Sequence, residues 1–161
     1  MLKREKDLNK LKIYIDTSII GGCFDEEFQL YSNFLFKQFI EGDLIAVISE
    51  LTLDELENGP PYLKEQLNKI PDKNKLFFSI TEEAIDLARK YIENDILTDK
   101  MFADALHIAI ATIVKVDAVV SWNFKHIVNL KRIKSFNAVN LKEGYYLLEI
   151  RSPREIIDEK F

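Results

Sequence analysis

Three acidic residues occupy equivalent places in successive strand–helix patterns of this chain. Asp16 follows a short apolar run, Glu55 lies in the second helical turn after the run Leu44–Ile48, and Asp104 lies near the start of an almost wholly apolar helix. On a parallel sheet all three would meet at the carboxyl edge, where ligands bind in open α/β folds. Crowded carboxylates raise one another's pKa, and a hard divalent cation relieves that repulsion by taking oxygen ligands. The pattern therefore favours Mg²⁺ or Mn²⁺ chemistry, in which the ion polarises a phosphoryl oxygen and activates water.

Each of these acids also has an ordinary structural interpretation. Asp16 at a strand end can simply cap the next turn. Glu55 and its neighbours Asp54 and Glu57 are alternatives for one position, and a helical Glu is commonly a surface residue. Asp104 can be stabilised by the positive end of its own helix.

Hydroxyl and imidazole groups next to these acids could orient them. Thr17 and Ser18 can position Asp16 or a metal-bound water, and capping of the following helix is the alternative. His107 lies one turn after Asp104, so it could pair with that acid or face the groove. We favour a packed or hydrogen-bonded structural role for His107.

A basic segment follows the last of the predicted buried strands. Between Ser121 and Lys142 there is no Asp or Glu, while the segment carries six basic residues: Lys125, His126, Lys131, Arg132, Lys134 and Lys142. Such a run is usually a solvated surface, but cations beside a carboxylate site can hold a phosphate backbone. Lys125 and His126 are the candidates for substrate phosphates. Trp122 could stack a base or belong to the core.

Length and composition indicate one globular domain over residues 1–161. The chain is 47% hydrophobic, carries a formal net charge of −5 and contains a single cysteine, Cys23. An internal disulfide or a cysteine-rich zinc site is therefore excluded, and a reducing cytoplasm is expected. Residues 1–10 are charged and lack an apolar signal core, and no apolar run is long enough to cross a membrane. We assign residues 1–10 to an N-terminal extension and residues 143–161 to a C-terminal strand or turn extension.

Alternating strand and helix patterns define the fold class. The predicted strands are Ile13–Ile15, Leu44–Ile48, Leu76–Ile80, Ala118–Trp122, Ala138–Leu141 and Tyr145–Ile150. The predicted helices are Glu27–Ile40, 51–57, Pro61–Asn68, 82–92, Met101–Val114 and Phe124–Leu130, with a C-terminal turn or helix from Ser152 and a loop at Gly21–Gly22. Short links between alternating elements predict a three-layer α/β/α fold on a mostly parallel sheet.

The ordered motifs resemble those of the PIN-domain family. They are Tyr-Ile-Asp-Thr-Ser, Ser-x-x-Thr-x-x-Glu-Leu, Ala-Asp-Ala-Leu-His-Ile-Ala and Val-Val-Ser-Trp-Asn, and the resemblance covers about Leu11–Leu141. It implies a Mg²⁺- or Mn²⁺-dependent ribonuclease of the VapC type, with Asp16, Glu55 and Asp104 as catalytic, metal-binding acids. The sequence departs from the family where Asn123 stands in place of a frequent fourth acid. Asp99 could supply the missing charge if its loop folds inward.

The resemblance also implies partners. We expect an RNA substrate and a homodimer, with no role at a membrane, and the resemblance also allows a cognate antitoxin of a type II toxin–antitoxin system. Asn123 supports the alternative, a catalytically weak or inactive PIN-like module that binds protein or RNA.

Overall fold

The protein folds around a five-stranded, wholly parallel sheet in the computed structural model, which describes residues 10–158. Residues 1–9, most of the predicted N-terminal extension, lie outside the described part. The strands are β1 (Lys12–Ile15), β2 (Ile45–Ser49), β3 (Lys75–Phe78), β4 (Ala118–Val120) and β5 (Ile150–Arg151). The helices are α1 (Thr17–Gly22), α2 (Gln29–Glu41), α3 (Glu50–Glu57), α4 (Pro61–Asn68), α5 (Glu82–Glu93), α6 (Phe102–Val114), α7 (Leu130–Lys142) and α8 (Pro153–Asp158). Helices flank both faces of the sheet, so the predicted three-layer α/β/α fold is confirmed.

Strand β1 is the centre of the sheet. The strand order is β3-β2-β1-β4-β5, with Tyr14 opposite Val47 of β2 and Ile15 opposite Val120 of β4. A strand with neighbours on both sides and helices on both faces must be apolar throughout, which explains the continuous Ile-Tyr-Ile run. The chain changes direction across the sheet at β1, and ligand crevices of open α/β folds lie at such switch points.

Two apolar layers hold the helices against the sheet. One contains Tyr14, Val47 and Val119 and packs against buried side chains of α5, α6 and α7. The opposite layer contains Ile13, Ile15, Ala46, Ile48 and Val120 and packs against α1, α2 and α8. The alternation of side chains along each strand divides them between the two layers.

Most helix boundaries follow the signals in the sequence. Ser49 and Thr81 cap α3 and α5, because their hydroxyls accept the backbone N–H of Thr52 and Ala84, respectively. Gly42 ends α2 with a left-handed φ of 82°, a conformation that costs glycine little.

The predicted elements after Trp122 are partly wrong. Residues 124–127 form a turn, not a helix, and the predicted strand Ala138–Leu141 is the end of α7. Asn129 causes the difference, because its side chain accepts the N–H of Arg132 and starts a new helix at Leu130. The strand predicted over Tyr145–Ile150 is reduced to Ile150–Arg151.

Gly21 and Gly22 were predicted as a loop and instead form the end of α1. In the described part of the chain, no helix has the length and apolarity needed to cross a bilayer.

Candidate active site

The carboxyl ends of β1, β2 and β4 bring polar side chains together at one edge of the sheet. Asp16 directly follows β1, Ser49 ends β2 and Ser121 directly follows β4. Since Ile15 is paired with Val120, Asp16 and Ser121 are neighbours across the two strands. The site is thus placed by strand register.

Asp16 is held in the centre of this edge. Its side chain is 5% exposed and accepts hydrogen bonds from Ser18 Oγ at 2.5 Å and from Ser121 Oγ at 2.6 Å. Although Asp16 occupies the position before α1, its carboxylate makes no capping hydrogen bond to that helix. The interpretation of Asp16 as a simple helix cap therefore does not describe this side chain.

Glu55 is engaged by His107. His107 Nε2 lies 2.5 Å from Glu55 Oε1, and the exposed fraction is 3% for the His107 side chain and 37% for that of Glu55. His107 therefore pairs with Glu55, 52 residues away in sequence, and not with Asp104. The imidazole is buried and hydrogen-bonded, as we favoured, but its partner reaches the surface of the candidate site.

A buried chain of hydrogen bonds supports His107 from behind. Tyr14 Oη lies 2.6 Å from His107 Nδ1 and 2.8 Å from Ser49 Oγ. Burial raises the pKa of Tyr14, which keeps its hydroxyl neutral and able to donate. A carboxylate can only accept, so Nε2 donates to Glu55. In the neutral tautomer with its proton on Nε2, Nδ1 accepts from Tyr14 and Ser49 donates to Tyr14 Oη.

Asp104 lies in the first turn of α6, half-buried and within electrostatic range of the other two acids. Burial raises the pKa of Asp104, and the negative charges of Asp16 and Glu55 raise it further, while His126 and His107 lower it. The pKa of Asp16 is likewise raised by burial first, and Glu55 adds to the shift against the lowering effects of His107, Ser121 and Ser18. The three predicted acids therefore lie within electrostatic range of one another, and two of them are in surroundings that disfavour their charge.

The turn after β4 places the remaining candidates. Asn123 Oδ1 accepts the backbone N–H of His126 at 3.0 Å, so this amide closes the turn. His126 is half-buried and acts electrostatically on Asp104, whereas Lys125 is exposed. Asp99 is exposed in the 3₁₀ turn Asp99–Met101 that precedes α6.

Trp122 belongs to the core. It is 5% exposed, stacks on Phe28 with ring centroids 4.3 Å apart and donates from Nε1 to Ser32 Oγ at 2.8 Å. Of its two interpretations, the packing role describes this side chain.

The side chains at this edge are of the types that bind a hard cation, but they are not arranged as a formed metal site. Within residues 10–158, no three His, Cys, Asp or Glu side chains already form a cluster able to hold a metal ion. Three carboxylates nevertheless share this edge, and Thr17 Oγ1 is buried there beside Asp16 without a hydrogen-bond partner. Oxygen donors of this kind are those that Mg²⁺ and Mn²⁺ prefer.

Sequence reasoning named Ser18, which holds Asp16, but it missed Ser121, Tyr14 and Ser49. Ser121 follows β4 as Asp16 follows β1, but the predicted strand ran on to Trp122 and so enclosed Ser121. Tyr14 and Ser49 carried no comparable signal, because a Tyr inside a strand and a helix-capping Ser have ordinary roles.

Comparison with known proteins supports the fold. No protein-family model matches the sequence, and no curated protein matches it. In structure, the chain is similar to VapBC2 of Rickettsia felis bound to a DNA fragment from its promoter, with 17% identity, a TM-score of 0.56 and coverage of 88% of this chain and 98% of that one. A toxin–antitoxin complex from Klebsiella pneumoniae gives 16% identity, a TM-score of 0.54 and coverage of 74% and 93%.

A third similar structure is the sarcin–ricin loop cleaving toxin VapC20 of Mycobacterium tuberculosis. It is 13% identical, with a TM-score of 0.52 and coverage of 71% of this chain and 92% of that chain. Likeness at this level of identity concerns the backbone architecture, which agrees with the resemblance seen in the sequence motifs. The chain therefore has the fold of the VapC-type PIN domains.

Proposed function

We propose that this protein is a Mg²⁺- or Mn²⁺-dependent endoribonuclease that hydrolyses RNA phosphodiesters. The observation that carries the proposal is the buried Asp16 carboxylate, whose pKa is raised by burial and by Glu55 at an edge that Asp104 also shares. An uncompensated buried carboxylate costs several kcal/mol, on the order of a domain's whole stability. A divalent counterion is the simplest explanation for keeping this buried carboxylate within electrostatic range of two other acids.

Asp16, Glu55 and Asp104 would hold the ion. When bound, such an ion lowers the pKa of a coordinated water and stabilises charge on a phosphoryl oxygen. Because Asn123 brings no charge to this edge, we propose one tightly held ion and a second that arrives with substrate.

The chain's own residues orient these ligands. Ser18 and Ser121 fix both oxygens of Asp16, and His107 fixes Glu55 through its Nε2. Fixed carboxylates lose little freedom when a cation binds, which favours binding. Lys125 is exposed at the rim, where it can meet a substrate phosphate.

An RNA cleavage assay tests the proposal. The wild-type protein should cleave mixed-sequence RNA with Mn²⁺ or Mg²⁺ and should lose activity in EDTA. Asp16→Asn should reduce cleavage by at least about 100-fold, in line with the loss of a metal-site group, while circular dichroism shows an unchanged fold. Asp54→Asn removes an exposed acid one residue from Glu55 and should leave the rate unchanged.

Two results would refute the nuclease assignment: full activity in EDTA, or full activity of purified Asp16→Asn.

We further propose that the nuclease is the toxin of a type II toxin–antitoxin pair and works as a homodimer. The toxin and antitoxin proteins among the similar structures support the first of these proposals. Induced expression of the wild type should then arrest growth, and expression of Asp16→Asn should not.

A second candidate function is a non-catalytic PIN-like module that binds RNA or protein. It is favoured by the Glu55 carboxylate, which already has a hydrogen-bond partner in His107, and by Asn123, whose amide closes a turn. In that case the wild-type protein binds RNA and cleaves nothing with either ion.

A further inference from the structure

Helix α7 carries positive charge at its positive end. Its first three residues are Leu130, Lys131 and Arg132, and its first turn contains no acid. A cation at a helix N-terminus is unfavourable, because the backbone dipoles already place partial positive charge there. Stability of the helix therefore does not explain these residues.

The same cations have no carboxylate partners in the described part of the chain. Ion pairs there involve other basic groups, among them Lys37, Arg89 and Lys90, each of which lies within 3.9 Å of an acid on its own helix. We call Lys125, Lys131, Arg132 and Lys134 the cationic strip. Within residues 10–158, none of its four members forms an ion pair.

The packing of α7 leaves two of its cations facing outward. Phe136 and Asn140 are completely buried against the core, and Asn140 hydrogen-bonds to Tyr91 and to Thr112 Oγ1. Lys131 and Lys134, one turn apart, are exposed on the other side of the helix, whereas Arg132, one turn before Phe136, is half-buried. Asp95 lines the same surface depression as Lys131 and Arg132.

The strip is attached to the candidate active site by hydrogen bonds. Ser121 Oγ donates to Asp16 and accepts the N–H of Asn123 at 3.0 Å, which begins the turn that carries Lys125. Asn129 closes the turn by donating to the carbonyl of Phe124 at 2.8 Å, and its side-chain oxygen caps α7. The cations therefore begin in the turn that is joined to Ser121, the partner of Asp16, and continue along the first turns of α7.

We propose that the cationic strip binds the phosphate backbone of single-stranded RNA and leads it to the edge that holds Asp16. The inference rests on the proposed nuclease function for its ligand. Neighbouring cations that form no ion pair suit a polyanion, and their position on a chain of net charge −5 makes the attraction local. Phe124 is 47% exposed beside Lys125 and offers a ring on which a base can stack, which favours RNA over an acidic protein.

Fluorescence anisotropy with a labelled, mixed-sequence single-stranded RNA tests the inference. All variants are made in the Asp16→Asn background and measured in EDTA, so that cleavage plays no part. The test variant is Lys131→Gln/Arg132→Gln/Lys134→Gln. The control, Lys37→Gln/Arg89→Gln/Lys90→Gln, removes the same charge from cations that have carboxylate partners.

The test variant should bind RNA on the order of tenfold or more weakly. The slope of log K against log salt should fall by about 2, since each phosphate contact on a single strand contributes about 0.7. The control should change affinity less than about twofold, because its charges do not lie on the proposed path. Equal affinities for test and control variants would overturn the inference, as would a test variant that keeps RNA binding and loses only binding to poly-glutamate.

The two proposals fail separately. If RNA binds through the strip but the wild type cleaves nothing, the proposed nuclease function is wrong and the proposed RNA binding by the strip stands. If the wild type cleaves RNA and the strip variant keeps its affinity, the proposed role of the strip is wrong and the nuclease function stands.

Discussion

Asp16 is placed where a charged carboxylate is least favourable. Burial raises its pKa, and the two serine hydroxyls and His107 only partly offset that effect. Residues kept at a cost to stability are commonly those that bind a ligand. The acids themselves could be predicted from strand ends and helix starts, whereas the pairing of Glu55 with His107 could not, because contacts between distant segments depend on how the helices pack.

The raised pKa of Asp16 predicts how stability depends on pH. The folded protein holds this proton more tightly than the unfolded chain, in which the pKa is near 3.8. Stability therefore falls as the pH rises from that value through the folded pKa, and the loss is complete above it. In EDTA at neutral pH, Asp16→Asn should unfold at a temperature roughly 2–4 °C higher, equivalent to about 1 kcal/mol.

Thermal denaturation across a pH series measures this effect. The unfolding temperature of Asp16→Asn should exceed that of the wild type by less and less as the pH falls towards 3.8 and below, where Asp16 becomes neutral in the folded and the unfolded protein. Ser79→Ala, at an exposed position, serves as the control for a mutation without a change of charge. A constant difference at every pH would contradict the assigned cause.

At the scale of elements, the strands around the site followed from apolar runs and the helices from their caps. Apart from Gly21 and Gly22, the exceptions lie after β4, where Asn123 and Asn129 close a turn and open α7 through side-chain hydrogen bonds. An apolar pattern does not reveal such bonds, so it predicts a helix where the structure has a turn. It also predicts a strand over Ala138–Leu141, where the structure has the end of α7.

Helix α1 provides a matched pair of glycines for testing how closely it packs. A Cβ on Gly22 would lie 2.5 Å from Ser32 Oγ and 2.7 Å from Trp122 Nε1, whereas a Cβ on Gly21 meets no atom within 4 Å. Gly22→Ala should therefore destabilise the protein by about 1–3 kcal/mol through overpacking. Gly21→Ala should be neutral or stabilising by up to about 1 kcal/mol, because alanine favours a helix.

Urea denaturation of the two variants gives the comparison. Equal free energies of unfolding would mean that α1 does not pack against Trp122 as closely as the structure has it. Since α1 begins beside Asp16, Gly22→Ala should also lower RNA cleavage while Gly21→Ala leaves it unchanged.

At the scale of the whole molecule, the sheet order could not be read from the sequence. Apolar runs indicate which segments are strands, but the order β3-β2-β1-β4-β5 depends on which helices cover which face. The order matters because it brings Ser121 next to Asp16 and sets all three acids at one edge. The parallel direction was predictable, since helices alternate with strands.

Ion binding should therefore appear in the stability of the whole domain. A ligand that binds only the folded state stabilises it by about 2.7 kcal/mol at a free concentration of 100 times Kd. Mn²⁺ should raise the unfolding temperature of the wild type and leave those of Asp16→Asn and Asp104→Asn nearly unchanged. Differential scanning calorimetry measures these unfolding temperatures, with Ca²⁺ and Na⁺ as comparison ions. An equal rise in the unfolding temperatures of all three proteins would mean that the ion binds elsewhere.

The hydrogen bond between Asp16 and Ser121 spans 105 residues of sequence. During synthesis, the ribosome must release at least the chain up to β4 before Asp16 acquires this partner. A nascent chain that ends just before β4 has all three acids but neither the sheet neighbour Ser121 nor the turn that follows it. The candidate site is consequently assembled only after β4 and this turn have left the ribosome.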